Sequence, residues 1–248
     1  MSIDTPPAGS APSRPRLIVR SFSIALGLAF FVVAAVGFGP LQLAHLNGNL
    51  ATSVVGELHG VLMVAWLLTF IAHAVVVANR RIDLHRRAGT VGIGLSAAVW
   101  LSVAGLTVRQ LSDAAVPLDK RIDTSLPQLY VVSAFLPLFA MAIRRRRNPP
   151  WHKRLLAIST IALLQAVVDR FGPLPDMVTG YWAQALCLDA LLVPLIVFDL
   201  TSLKRLHPAT VLGSGLVLPG QSVVAVLWGS DWWPPRTVRL AHALQTVF

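Results

Sequence analysis

Six runs of about 20 apolar residues, each long enough for a helix to cross the ~30 Å of bilayer hydrocarbon, constrain this chain more than any other feature. They extend roughly from Leu17 to Phe38, Ser53 to Asn79, Ala88 to Val108, Leu126 to Ile143, Leu155 to Phe171 and Tyr181 to Leu200. A seventh, about Ala209 to Gly229, is weaker. Its centre reads Leu218-Pro219-Gly220-Gln221-Ser222, where proline removes a backbone donor, so a kinked or broken span is expected there. With 55% of 248 residues hydrophobic, 13% charged and a mean hydropathy of +0.67, the chain has more apolar surface than one soluble core of its length can hide. The solvent for most of it is the lipid bilayer. The expected fold is an all-α integral membrane protein, a bundle of about seven transmembrane helices.

The formal charge of +10 does not mark a nucleic-acid partner, because the basic residues gather in short clusters between apolar runs. Arg14, Arg16 and Arg20 open the first span. Arg80, Arg81, Arg86 and Arg87 join spans two and three, Arg144 to Arg147 with Lys153 and Arg154 join four and five, and Lys204 and Arg205 join six and seven. In the alternate loops Lys120 and Arg121 are offset by Asp113, Asp119 and Asp123. By the positive-inside rule the N-terminus is cytoplasmic and the C-terminus outside, as in a multi-pass protein of the bacterial inner membrane. Residues 1–16, rich in Pro, Ser and Ala, read as a disordered cytoplasmic tail, and 17–229 as the transmembrane domain. The first apolar run is as long as a span and is expected to be retained. Trp232-Trp233-Pro234-Pro235 marks the outer interface, and 230–248 reads as an interfacial amphipathic segment. A single cysteine, Cys187, excludes an internal disulfide and a thiolate metal cluster.

Span three carries Gly94, Ala98, Ser102 and Gly105, a row of small residues that lets helices approach closely and places this span at the centre of the bundle. No internal repeat is visible, which weighs against an inverted-repeat transporter.

The chemistry-bearing residues fall into three groups. In span two His59 and His73 share a face, since their spacing closes to within about 40° of whole turns, and they stand about 21 Å apart along the axis. Trp66 lies midway on the same stripe. This is the spacing at which b-type cytochromes hold two haems by axial imidazoles. Span five offers His152 as a facing ligand but Ala166 where a second is needed, so at most one haem, held by His73 and His152, fits the pattern. Neutral imidazoles acting as polar glue between helices, or a proton relay, fit it too.

A second group collects in the outer leaflet: Glu57, His59, Arg109, Gln110, Gln128, Gln165, Asp169 and Arg170, with Asp189 about halfway down span six. A carboxylate near the bilayer centre is costly unless paired or hydrated, so Asp189 is a functional candidate, with His59, Arg109 or Arg170 as expected partners and a shared outer pocket with His59. The others also suit interfacial anchoring. A third group, His85, Arg86 and Arg87 with Lys153 and Arg154, is placed to meet lipid headgroup phosphates. No phosphate-binding loop, dinucleotide fingerprint, serine elbow or zinc-protease motif occurs, so hydrolytic enzyme chemistry is not expected.

The segment HGVLMVAWLLTFIAHAVVVANRRIDLHRRAG, with His152-Lys153-Arg154 and His207-Pro208 further on, resembles a group of uncharacterised bacterial multi-pass inner-membrane proteins. The resemblance runs from about Ser53 to the C-terminus and implies membership and location without an activity. The histidine stripe and the LHRRxG-like loop are also weakly similar to cytochrome b561 and ferric-reductase helices, which would imply haem b as cofactor. Three functions follow: a membrane protein whose polar groups serve packing, a haem- or quinone-linked redox protein using the span-two histidines, and a small-solute or proton transporter using the outer polar pocket.

Overall fold

In lipid every backbone N–H and C=O must be satisfied within the chain, and helices do this locally. The computed structural model describes residues 14–49, 52–168, 170 and 181–246, with side chains from Ser21 onward. Its described residues are all helix and connecting turns: α1 (Arg14–Leu46), α2 (Val54–Ala78), α3 (Ile82–Ser112), α4 (Leu118–Arg144), α5 (Pro149–Leu163), α6 (Gln165–Val168), α7 (Tyr181–Ala190), α8 (Val193–Leu203), α9 (Pro208–Leu227) and α10 (Pro234–Gln245). α1 opens at Arg14, so the last residues assigned to the tail are helical, and the rest of that tail lies outside the described residues. Proline at the first helical positions starts α5, α8, α9 and α10, where its missing N–H costs nothing. The Ser53 hydroxyl caps α2 by accepting from the Gly56 N–H.

Six helical stretches are long and apolar enough to cross a membrane: Ser21–Leu46, Val54–Ala78, Ile82–Ser112, Leu118–Arg144, Tyr181–Leu203 and Pro208–Leu227. Their outer faces are apolar, with Val91 72% exposed, which suits a lipid surround. The stretch expected to be weakest, around Pro219, is a continuous helix and one of these six. The shortfall is in the fifth run instead, where α5 has 15 residues and breaks at Leu164 before α6. Such a helix is tolerated because it is wrapped in protein rather than lipid. Leu155, Ile158, Ile161 and Leu164 are all fully buried, and α5 packs on α4, α6 and α9.

The centre of the bundle is therefore α5, and the expectation for α3 does not hold. Gly94 and Gly105 have open space where a Cβ would stand, whereas Gly92 and Ser96 are buried and Gly92 faces His73 and Thr69 of α2. Two residues are about 200° around a helix, so Gly94 and Gly105 face away from the partner helix, while Ser102 of the same stripe still reaches α2 through His59. Close approach is made by α9: a Cβ on Gly213 would collide with Ile158 of α5, and one on Gly220 would lie 2.7 Å from the ring of Tyr130 in α4. α10 rests on the ends of α3 and α4. Trp233 is buried there and donates to the Ile122 carbonyl (3.2 Å), while its stacking partner Trp232 is exposed, so only one of the pair suits an interfacial belt.

Candidate functional site

The 3.6-residue period of α2 turns His59, Trp66 and His73 to one side, and each meets a neighbouring helix there. His59 Nδ1 lies 2.9 Å from the Ser102 hydroxyl of α3, and the buried Trp66 indole donates to Thr160 of α5 at 3.3 Å. At the end carrying the arginine clusters, here called the basic end, His73 packs edge-to-face on His85 of α3 with ring centres 4.9 Å apart. His85 in turn faces His152 of α5 at 6.4 Å. His152 Nδ1 donates to the Ala142 carbonyl at 2.9 Å, which leaves Nε2 open, and His85 Nδ1 is buried without a hydrogen bond. The pair expected from sequence, His73 with His152, is thus joined by a third imidazole. His85 turns into the bundle rather than toward headgroups.

Mid-bundle, a second group forms where the sixth crossing is interrupted. α7 ends at Ala190, α8 begins at Val193, and Pro194 offers no N–H to the carbonyl of Ala190. Asp189 stands at this break. The Gln221 side chain of α9 faces both the Asp189 carboxylate and the Tyr130 hydroxyl of α4. Tyr130 donates to the Val217 carbonyl at 3.3 Å. Gln221 is only 2% exposed, yet both its amide atoms and Asp189 Oδ1 make no hydrogen bond of ordinary geometry. The described contacts do not join Asp189 to His59, Arg109 or Arg170. Among the described residues the main packing of α2 is on α1 and α3, and that of α7 is on α6, α8 and α9.

The third group was not anticipated. Asp199 of α8 is fully buried and takes two hydrogen bonds from the Arg154 guanidinium on the same oxygen, one of them 2.9 Å from Nε. Its other oxygen accepts from the Thr210 hydroxyl (2.5 Å) and the His207 N–H (3.0 Å). Arg154 also donates to the Pro150 carbonyl at 3.0 Å, so α5, α8 and α9 are tied at one point. Arg154 is 3% exposed and paired, which removes it from the headgroup-binding set. The available signal is an aspartate inside an apolar run, one residue from the end assigned to it, which makes it pass for interfacial. Next to this node, burial and the nearby Arg154 charge hold the His207 imidazole below its ordinary value.

The remaining candidates scatter. Glu57 accepts from Thr52 (2.6 Å) and pairs with His45 (3.2 Å) at the α1–α2 turn. Gln110 bonds to Thr124 and accepts from Gln128 (2.6 Å), bridging α3 and α4. Gln165, buried just past the α5 break, meets Gln184 and Tyr181 of α7, each at 3.4 Å. Arg109 is exposed, Arg170 lies over the Phe38 ring at 4.4 Å, and Asp169 lies outside the described residues. Arg86 and Arg87 are exposed as headgroup contacts require, while Lys153 sits over the Phe198 ring at 5.1 Å.

Among the described residues, fold and site together define an all-α protein with six helices long and apolar enough to cross a membrane and with polar side chains clustered at two interrupted helices. Comparison with family models, curated proteins and solved structures finds no match to it.

Proposed function

We propose that this is a seven-crossing protein of the bacterial inner membrane, N-terminus inside, that carries a small solute or ion across the bilayer. The observation behind the carrier reading is the buried, unpartnered Gln221 amide facing Asp189 at the α7–α8 interruption. Discontinuous membrane helices free backbone groups near the midplane, and a carboxylate is costly there unless it serves a ligand. The α5–α6 break, with Gln165, Gln184 and Tyr181 beside it, supplies a second polar interruption. Counting α5 with α6 as one crossing puts all four basic clusters on the cytoplasmic side. A reporter fused after Phe248 that is active only outside the cytoplasm is the expected result. Uptake of a panel of small polar solutes and ions into proteoliposomes tests the carrier reading. Uptake that disappears in a folded Asp189→Asn protein supports it, and absence of uptake for every solute sinks it.

A second reading, one b-type haem at the basic end, draws on His73, His85 and His152 meeting there. With Nδ1 donating to Ala142, the lone pair of His152 lies on Nε2, and the buried His85 Nδ1 has no hydrogen bond, so both rings are suitable donors for an axially ligated group. When bound, such a group would supply one-electron chemistry. The absorption spectrum of purified protein decides it: a haem band lost in His152→Ala is required.

A further inference from the structure

Asp189, Gln221 and Tyr130 come from three different crossings, yet each lies roughly 20 Å along its helix from the basic end at ~1.5 Å per residue. They form one level in the half of the bundle away from the arginine clusters. The charged surroundings are sparse. Of the elements packed on α7, α6 and α9 carry no Asp, Glu, His, Lys or Arg. The acid of α8 is Asp199, roughly 15 Å further along and already held by Arg154. Besides Asp189 itself, the titratable group facing the level is the Tyr130 hydroxyl from α4; Cys187 of α7, two residues from Asp189, is turned about 200° away around the helix.

This donor set selects among ions. Among the described residues no group of three or more His, Cys, Asp or Glu is placed to hold a metal ion. One carboxylate, one amide oxygen and one phenol also fall short of the six or so oxygens that a hard cation gathers. A proton needs one oxygen to receive it and one acceptor for the resulting O–H.

Resting on the carrier reading above, we propose that the ion taken at this level is the proton, bound and released by Asp189 with Gln221 as its rotating partner. In the carboxylate form the Gln221 Nε2–H donates to Asp189 Oδ1. When a proton from water on one side binds Oδ1, the amide turns over and its Oε1 accepts the new carboxyl O–H, while Nε2–H donates to the Tyr130 oxygen. Loss of the proton to the other side restores the first arrangement. The only bond made and broken is the carboxyl O–H, and one positive charge crosses per cycle. Neutral glutamine suits this task because one amide offers a donor to the charged form and an acceptor to the neutral one. The α7–α8 interruption lets Asp189 move without breaking a continuous helix.

The test uses the full-length chain in vesicles of phosphatidylethanolamine and phosphatidylglycerol, with a trapped pH-sensitive dye and a potassium diffusion potential as driving force. Proton uptake at least tenfold above protein-free vesicles is expected, falling to background in Asp189→Asn and several-fold in Gln221→Leu. A pH-dependent protonated-carboxyl band in the infrared difference spectrum, absent in Asp189→Asn, reports binding independently of flux. Monodisperse behaviour of each variant in detergent establishes folding. If Asp189→Asn carries protons like the wild type, or the carboxyl band persists in it, the proposal fails. Asp189-dependent flux of sodium, potassium or a solute without proton flux overturns the proton and leaves the carrier standing. The band without any flux does the reverse.

Discussion

Asp189 and Asp199 stand on the same crossing, roughly 15 Å apart at ~1.5 Å per residue, and they meet opposite fates. Asp199 receives hydrogen bonds from Arg154, Thr210 and the His207 backbone, so its charge is spread over partners from α5, α9 and the turn that precedes α9. Asp189 faces one amide, and its Oδ1 has no hydrogen bond. A buried charge with every lone pair occupied is fixed in place. One that is under-supplied is free to change its protonation or its partner. In this molecule the well-served acid holds helices together, and the poorly served one is the functional candidate.

The sharpest way to break this contrast is to remove one partner from each. Arg154→Leu leaves Asp199 charged and alone in the interior, and a loss of about 3–5 kcal/mol is expected, read as a collapse in the yield of monodisperse protein. Asp189→Asn should change stability by less than ~1 kcal/mol, since the asparagine oxygen can still accept from Gln221 and no charged partner is left behind. Equal losses in the two variants would erase the distinction. Gly220→Ala tests the packing behind the Asp189 level. Its methyl would press the buried Tyr130 ring, an overpacking cost of about 1–3 kcal/mol offset in part by the ~1 kcal/mol helix preference of alanine, so the thermal midpoint should fall modestly. Thr210→Val removes one of the partners of Asp199 while keeping shape. About 1–2 kcal/mol of destabilisation in the same thermal measurement is expected, far short of the Arg154 effect because the ion pair survives.

The smallest effect concerns pH. His207 is held below its ordinary value in the folded protein, so between that lowered value and ~6.5 the unfolded chain binds more protons and stability falls as pH drops. Stability is retained above about pH 6.5. His207→Asn, whose side-chain oxygen can still accept from the Ala209 N–H, should lose less on going from about pH 7.5 to about pH 5.5 than the wild type does. An unchanged pH dependence would mean His207 titrates alike in both states.

Much of the architecture was readable from local pattern. Runs of apolar residues became helices because lipid leaves the backbone no other partner, and His59, Trp66 and His73 turned inward together because 100° per residue is a property of the helix itself. What those side chains touch was not readable. A stripe on α3 two residues away from the true interface looked equally small, and only docking against α2 distinguished Gly92 from Gly94. Likewise, the proline at 219 marks its helix as the one to kink or break, yet that helix is continuous while α5, short and charged at its start, is sheltered at the centre.

By itself, then, the sequence determined the helical class, six helices long and apolar enough to cross a membrane, and the side of α2 on which its polar stripe lies, because these depend on the solvent and on the pitch of a single helix. Which helix sits at the core, which histidine completes the cluster and which aspartate is paired were decided by the tertiary structure alone. Those outcomes depend on how separate helices rotate and slide against one another. Arg154 meets Asp199 across 45 residues of chain, a distance over which no local periodicity carries information.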